Sequence, residues 1–166
     1  MAPIVTDIHS RILALLDRAD SPYRVHEHPP VRTIDEARVL APHLLEGLVK
    51  TIAFELDGAS RVVLAAVTLD AQVDYAALAR CLGVNRRALR LLPAARVEAE
   101  LGFEVGGLGP FALDGRCEVV LDDAVLAQPW LRCGAGLRTR TLELAPEDAR
   151  RASDARVAPI AKRVTV

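Results

Sequence analysis

Glycine and proline are concentrated in one short segment, residues 102–111, which we call the glycine loop. Four glycines and Pro110 lie there between two apolar stretches. Glycine accepts positive φ and close backbone approach, whereas Pro110 fixes its own φ and favours an extended Gly109. Two interpretations remain open. The segment is a wide turn between a helix and a strand, or its unobstructed N–H groups hold an ester carbonyl or a phosphate.

Length and composition indicate one soluble domain that spans residues 1–166, with 51% hydrophobic and 26% charged residues. The net charge of -1 gives no global attraction to nucleic acid, so RNA binding would need a local patch. The apolar runs are too short to cross a bilayer, and the N-terminus lacks a signal-peptide pattern. Three widely spaced cysteines fit reduced thiols. We therefore expect a cytoplasmic protein without membrane contact.

The strongest strand signal is a predicted hairpin. Residues 49–56 and 61–68 flank Asp57-Gly58, a dipeptide typical of tight turns. Because side chains alternate along a strand, Lys50 shares a face with an apolar row formed by Ile52, Phe54 and Leu56. Either the lysine extends to water from the strand end, or its ammonium lies at the rim of a pocket that the same face lines.

The remaining chain alternates between short helices and short strands. Helices are predicted at 6–19 with Thr6 as the cap, at 34–40 after a Thr33 capping box, at 75–82 after Asp74, from Pro93 to about 101, at 122–128 and from Pro146. Strands are predicted at 23–28, 88–92, 111–113, 117–121, 130–133 and 137–144, with a second hairpin turn at Asp114-Gly115. We expect the tail from Val157 to be less ordered. This pattern predicts an α+β fold, with a curved, mixed, mainly antiparallel and barrel-like sheet surrounded by helices.

Charged clusters allow two interpretations each. His26, His28 and His43 lack a clear metal-ligand spacing, so surface histidines are favoured over a metal site. Two arginine clusters are either solvated faces or phosphate tracks: Arg132, Arg138 and Arg140, and Arg86, Arg87 and Arg90. No nucleophile motif or phosphate-binding P-loop is present in the sequence.

Five segments in order carry a resemblance to a known family. They are Pro22-Tyr23-Arg24-Val25-His26-Glu27-His28-Pro29-Pro30, Thr33 with Glu36-Ala37, Val49-Lys50-Thr51, Gly106-Gly107-Leu108-Gly109-Pro110-Phe111 and Gly134-Ala135-Gly136. Together they resemble the YbaK/prolyl-tRNA-synthetase-associated domain family. That family comprises free-standing and inserted domains that hydrolyse mischarged aminoacyl-tRNA. The chain carries no synthetase and is similar to the free-standing kind.

The resemblance implies a role for each matching residue. Lys50 would hold the tRNA 3′-end or the substrate ester, with Thr51 as its pocket neighbour. Gly106 and Pro110 end a G-x-x-x-P loop whose backbone, including Gly107, Leu108 and Gly109, would face the ester. Tyr23 would lie on the pocket wall. Gly134 takes a late position that is serine in YbaK-like members and histidine in alanine-specific ones, and an expected downstream aspartate aligns near Thr141.

The resemblance also implies the chemistry. The protein would be a trans-editing deacylase, most simply for tRNA(Pro) that carries a small noncognate amino acid. The substrate would assist through its ribose hydroxyl or thiol, without metal or organic cofactor. A synthetase or an elongation factor would help to deliver the tRNA. Two other functions stay open, a non-catalytic module that binds aminoacyl-tRNA or a nucleotide, and hydrolysis of a small ester or amide.

Overall fold

The computed structural model describes residues 7–56 and 61–163. Within these ranges the helices are α1 (Ile8–Arg18), α2 (Ile34–Leu40), α3 (Tyr75–Leu82), α4 (Ala94–Leu101), α5 (Asp123–Leu126) and α6 (Pro146–Ala152). The strands are β1 (Tyr23–Glu27), β2 (Val49–Leu56), β3 (Val62–Thr68), β4 (Ala71–Val73), β5 (Leu89–Leu91), β6 (Cys117–Asp122), β7 (Leu131–Gly134), β8 (Arg140–Leu144), β9 (Arg156–Ala158) and β10 (Ala161–Arg163). Short 3-10 turns occur at Pro42–Leu44 and Arg86–Ala88.

The strands form three sheets. The central sheet has the order β5-β2-β3-β6-β9, in which β2 is antiparallel to β3 and β5, while β3, β6 and β9 are parallel. A second, antiparallel sheet has the order β1-β8-β7, and β10 pairs antiparallel with β4. The α+β class and the mixed, mainly antiparallel pairing are confirmed. The strands of the described residues are divided among three sheets and do not close into a barrel.

Two apolar clusters cover the two faces of the central sheet. Every residue of β3 is buried, as expected for a strand covered on both sides. On one face, Val49 and Ala53 join a cluster that contains the glycine-loop residues Phe103 and Phe111. On the other face, Phe54 belongs to a separate cluster beneath α3. The alternation of β2 therefore decides which cluster each of its residues contacts.

Local capping signals predict most helix ends correctly. The Thr33 side chain accepts from the Glu36 N–H at 3.1 Å, and Asp74 accepts from the Ala77 N–H at 3.1 Å. The first helix is an exception, because it begins at Ile8 and Asp7 is its cap. The predicted cap Thr6 is therefore wrong, and that residue lies outside the described ranges. The predicted turn at Asp57-Gly58 also lies outside them.

The predicted strand at residues 111–113 is wrong. These residues form an irregular segment, although Phe111 is fully buried. The segment is anchored from the C-terminal end of α6, where the hydroxyl of the C-cap residue Ser153 donates to the Pro110 carbonyl at 3.0 Å. The strand that follows, β6, pairs parallel with β3, so Asp114-Gly115 does not close a hairpin. An apolar run that fills the core through a loop has the same local pattern as a buried strand.

The predicted disorder after Val157 is also wrong, because β9 and β10 are formed there. A buried carboxylate explains their order. One oxygen of Asp122 accepts from the N–H groups of Ile160 and Ala161 at 2.9 and 3.0 Å, and the other accepts from Ala124 at 3.0 Å. This non-local contact ties the start of β10 to the end of β6, and Ile160 is fully buried beside it.

We predict that Asp122→Ala lowers the free energy of unfolding by about 3 kcal/mol, because it leaves three backbone donors without their acceptor. The neighbouring Asp123→Ala is the matched control, since Asp123 is exposed and should change stability little. Urea unfolding of both variants measures the difference. Equal stability of the two variants would contradict the anchoring role of Asp122.

Candidate functional site

A cavity of about 340 Å³ opens at one edge of the central sheet. β5 pairs with β2 only at residues 54–56, and β7 meets the start of β2 through a bridge between Leu48 and Arg132. Between these two points no strand of the described chain covers the edge of β2 at residues 50–52. The cavity fills this gap. The glycine loop, α2, the 3-10 turn at Pro42–Leu44 and the facing residues of β7 and β8 form its other walls.

Most of the cavity wall is apolar, and a small set of polar side chains interrupts it. The polar members are His28, Arg32, Lys50, Thr51, Arg140 and Thr141. Such a combination of apolar walls with a few convergent polar groups is typical of a small-molecule site.

The glycine loop is held by direct backbone packing against two distant segments. Gly106 has φ +91°, and a Cβ there would lie 2.0 Å from the Val31 carbonyl oxygen. A Cβ on Gly109 would lie 2.1 Å from the Gly134 carbonyl oxygen. Only glycine permits these approaches. A Gly106 variant would consequently disturb the fold and could not report on catalysis alone.

The same packing explains the glycine at position 134. A Cβ there would lie 2.2 Å from the Leu108 carbonyl oxygen. A hydrogen bond from the Gly136 N–H to the Gly107 carbonyl, at 2.8 Å, fixes the two segments together. Backbone of the glycine loop therefore occupies the space that a serine or histidine side chain would need at Gly134.

The glycine loop also carries free backbone donors at the cavity. Gly106 and Leu108 line it, and neither N–H has a hydrogen-bond partner among the described residues. The Gly107 N–H, in contrast, donates to the Glu104 carbonyl at 2.8 Å. Unpaired N–H groups on a rigid loop are suited to stabilise a developing oxyanion.

The side chains of Lys50 and Thr51 lie on opposite faces of β2. Thr51 lies on the face that packs toward the glycine loop, whereas Lys50 shares the other face with Ile52 and Phe54. Lys50 still lines the cavity, because it stands at the uncovered edge. Burial of its ammonium lowers the pKa of Lys50, and the nearby carboxylate of Asp70 opposes that shift.

Thr51 brings unsatisfied polar groups to the cavity. Its hydroxyl oxygen is buried and has no hydrogen-bond partner among the described residues. The Ala53 carbonyl accepts from the Leu92 N–H at the edge of β2 that faces away from β3. Residues two apart in a strand direct their backbone N–H and C=O to the same side, so those of Thr51 point to this edge as well. That side is the uncovered edge. Buried polar groups without partners are rare, so the hydroxyl is a strong candidate ligand contact.

His28 and Thr141 form a hydrogen-bonded pair at the cavity, 2.9 Å apart between Nε2 and Oγ1. The other ring nitrogen of His28 lies 2.8 Å from the Pro29 carbonyl, which can only accept. In the neutral imidazole, Nδ1 therefore carries the proton and Nε2 accepts from the Thr141 hydroxyl. Nothing in the sequence pattern links these two residues. The signal would have been the pairing of β1 with β8, which aligns His26 with Thr141.

The residues expected at the site divide into two groups. Lys50, Thr51, Gly106, Leu108 and Gly134 line the cavity. The others, Tyr23, Gly107, Gly109 and Pro110, are not part of its lining.

Tyr23 packs against the first apolar cluster, and burial together with Asp17 raises the pKa of its hydroxyl. The structure thus places Tyr23, half-buried, against the core and not on the cavity wall. Cys133 does line the cavity, but burial raises the pKa of its thiol far above the ordinary value, which makes it a poor nucleophile.

The arginines of β7, of β8 and of the turn between them are engaged in internal ion pairs. Arg132 contacts Glu143 at 2.8 Å, Arg138 contacts Glu98 at 3.3 Å and Glu104 at 3.6 Å, and Arg140 contacts Glu27 at 3.3 Å. Arg132 also donates to the carbonyls of His43 and Glu46, which holds the cavity wall after α2 in place. These three arginines therefore support the site and do not form a phosphate track.

The described residues contain no group of three or more His, Cys, Asp or Glu side chains that could hold a metal ion. None of the helices in the described ranges combines the length and the apolar character needed to traverse a bilayer.

We predict that Gly134→Ala destabilises the protein by about 2 kcal/mol or more, since the new methyl group meets backbone that cannot move aside. Gly115→Ala is the matched control, because a Cβ at Gly115 has no atom within 4 Å. Thermal unfolding of both variants measures the effect. A Gly134→Ala protein as stable as the control would show that the glycine loop is free to shift.

Solved structures share this fold over nearly the whole length of this chain. The hypothetical protein APE2540 is 24% identical with a TM-score of 0.79, and the alignment covers 92% of this chain and 99% of that one. A candidate trans-editing enzyme for prolyl tRNA synthetase is 21% identical with a TM-score of 0.75, covering 95% and 99%. A candidate signal transduction protein from Marinobacter aquaeolei VT8 is 20% identical with a TM-score of 0.64, covering 97% of this chain and 31% of that one.

Sequence comparison gives the family. A search of curated proteins finds no match. The family model of the aminoacyl-tRNA editing domain matches residues 28–152, which include the uncovered edge of β2, the glycine loop and the pair formed by His28 and Thr141. The chain belongs to the aminoacyl-tRNA editing domain family.

Proposed function

We propose that this protein is a deacylase that hydrolyses the ester of a mischarged aminoacyl-tRNA. The observation that carries the proposal is the buried, unpartnered hydroxyl of Thr51 in the same cavity as the Lys50 ammonium and the free N–H groups of Gly106 and Leu108. Membership of the editing-domain family supports the substrate class. One structural neighbour, the candidate trans-editing enzyme for prolyl tRNA synthetase, supports tRNA(Pro) as the tRNA of the substrate.

The cavity supplies donors where ester hydrolysis needs them. The N–H groups of Gly106 and Leu108 would stabilise the oxygen of the tetrahedral intermediate. The Lys50 ammonium would contact a phosphate or the ester of the terminal nucleotide, as a charge-assisted hydrogen bond. The Thr51 hydroxyl would orient the bound aminoacyl group. No metal or organic cofactor takes part in this scheme.

The reaction adds water across one bond. The water oxygen bonds to the carbonyl carbon, the bond from that carbon to the ribose oxygen breaks, and the water proton ends on the ribose oxygen. Either the neighbouring ribose hydroxyl or Nε2 of His28 takes the proton first. Loss of activity on a tRNA that ends in 2′-deoxyadenosine would assign this step to the ribose. Loss in His28→Gln on the ordinary substrate would assign it to His28.

A second function is a binding module that holds an aminoacyl-tRNA end without hydrolysis. The close packing of Leu108 on Gly134 favours this alternative, because it removes a polar side chain from the site. Hydrolysis of a small ester unrelated to tRNA is a third function that the same groups could perform. A panel of tRNAs mischarged with cysteine, alanine or serine separates the three, with loss of the ester as the readout. Binding without hydrolysis across the panel would support the module, and hydrolysis of simple esters alone would support the third function.

We predict that Lys50→Met lowers deacylation by one to a few orders of magnitude, in line with roughly 2–4 kcal/mol for the loss of an electrostatic donor at a reacting centre. The variant should be no less stable than the wild type, because burial already disfavours the charged form of Lys50. Arg18→Met, at an exposed position of α1, is the control. Full activity of Lys50→Met would show that the lysine only extends to water.

We predict that Thr51→Val and Thr68→Val have opposite effects. The hydroxyl of Thr51 has no partner, so its removal should keep or raise stability while it lowers deacylation roughly ten- to hundred-fold. The Thr68 hydroxyl donates to Asp70 at 2.7 Å, so its removal should cost about 1 kcal/mol of stability and leave activity unchanged. Urea unfolding and deacylation rates measure both effects. A stability loss in Thr51→Val with full activity would assign Thr51 to the core.

A further inference from the structure

A second cavity lies on the opposite face of β2 from Thr51. Its volume is about 510 Å³, and three cationic side chains line it: Lys50, Arg86 and Lys162. Tyr75, Gln72 and Leu91 are also part of its wall. We call this cavity the cationic groove.

The cations of the groove differ from those of β7 and β8. Arg86 and Lys162 form no ion pair with any residue in the described ranges, whereas Arg132, Arg138 and Arg140 each contact a carboxylate. The carboxylate of Asp74 in the groove wall is directed to the start of α3, where it accepts from the Ala77 N–H. The groove is therefore positive, although the whole chain has a net charge of -1. It is a local patch of the kind that RNA binding requires.

The groove also contains an aromatic surface. The ring of Tyr75 is held edge-to-face by Phe54, with the centroids 5.1 Å apart and an angle of 88° between the planes. The Arg86 guanidinium lies 5.6 Å from the centroid of the Tyr75 ring. Leu91, also in the groove wall, is 53% exposed and adds apolar surface there. A fixed aromatic ring among cations is the usual platform for bases of single-stranded nucleic acid.

The groove and the candidate active site share one boundary. Lys50 and Ile52 line both cavities, because they stand at the uncovered edge of β2. A nucleic acid whose 3′-terminal ester lies beside Thr51 can cross this edge and continue along the other face of the strand. The ammonium of Lys50 would then lie between the terminal nucleotide and the one before it.

We propose that the cationic groove binds the single-stranded RNA that immediately precedes the esterified nucleotide. Arg86 and Lys162 contact its phosphates, and Tyr75 contacts a base. This inference rests on the proposed function, since it extends the path of the same substrate. The Lys50 side chain belongs to both sites, so the test leaves it unchanged.

The test compares two double variants that remove the same charge. Arg86→Gln/Lys162→Gln alters the groove, and Arg18→Gln/Arg24→Gln alters exposed arginines of α1 and β1. Each is assayed with a mischarged tRNA and with the same amino acid esterified to adenosine, which has no phosphate. The groove variant should lose roughly ten-fold in kcat/KM on the tRNA and nothing on the adenosine ester, since exposed contacts are individually modest.

Salt dependence gives a second readout. Each phosphate contact to a single strand contributes about 0.7 to the slope of log affinity against log salt, so the groove variant should lose about 1.4 of that slope. An equal loss of kcat/KM on the tRNA and on the adenosine ester would overturn the groove assignment. The same loss of kcat/KM on the tRNA in the control variant would also overturn it.

A direct binding measurement separates this inference from the proposed function. The probe is a fluorescein-labelled single-stranded RNA that has the sequence of a tRNA 3′-end and carries no amino acid. Its binding is measured by fluorescence anisotropy. If the wild type hydrolyses neither ester, the proposed function fails, and a roughly ten-fold weaker binding of the probe by the groove variant still supports the groove. Equal affinity of wild type and groove variant for the probe overturns it, whether or not hydrolysis occurs.

Inorganic phosphate and free nucleotides serve as competitors. If these competitors displace the RNA probe at concentrations equal to the Kd of the probe, the groove is a general phosphate site, and the single-strand assignment is overturned.

Discussion

Backbone-to-backbone packing of the glycine loop is the contact on which the site depends. Gly106 lies against Val31, and Gly109 and Leu108 lie against Gly134, so three segments far apart in sequence meet without intervening side chains. Each contact excludes a Cβ atom, which makes the arrangement rigid, because none of the partners is the far end of a flexible side chain. The N–H groups of Gly106 and Leu108 consequently hold fixed positions at the cavity, and fixed donors are what oxyanion stabilisation requires.

The second constraint is the uncovered edge of β2. A strand places successive residues on opposite faces, so Lys50 and Thr51 would ordinarily serve different environments. Because neither β5 nor β7 covers residues 50–52, both residues reach the same opening. The edge thus explains how one short segment supplies an ammonium and an unpartnered hydroxyl to a single cavity. It also explains how Lys50 borders the cationic groove on the other face.

Local signals predicted the parts of the fold that depend on neighbours in sequence. The caps at Thr33 and Asp74 and the alternation of β2 follow from side chains within a few residues of each other. Local patterns do not predict the order of β9 and β10, because it depends on Asp122, which lies 38 residues before Ile160. They predict a strand at 111–113 where the structure has a loop, because the buried Phe111 gives that loop the same apolar pattern.

For the site, the sequence indicated Lys50, Thr51 and the glycine loop, but it did not indicate that His28 pairs with Thr141 across β1 and β8.

The packing of the glycine loop explains why position 134 is a glycine. In sequence it is the loss of a polar side chain, whereas in the structure the Leu108 carbonyl occupies that side chain's place. The polar side chains that remain around the cavity lie on β2, on β8 and in the segment after β1: His28, Arg32, Lys50, Thr51, Arg140 and Thr141. An apolar pocket distinguishes substrates that differ by one methylene only by about 1–3 kcal/mol. A wall of immobile backbone can reject a larger amino acid more strongly, since it has no side chain to move aside. If the protein is a deacylase, its choice of amino acid is therefore set by the glycine loop as much as by any side chain.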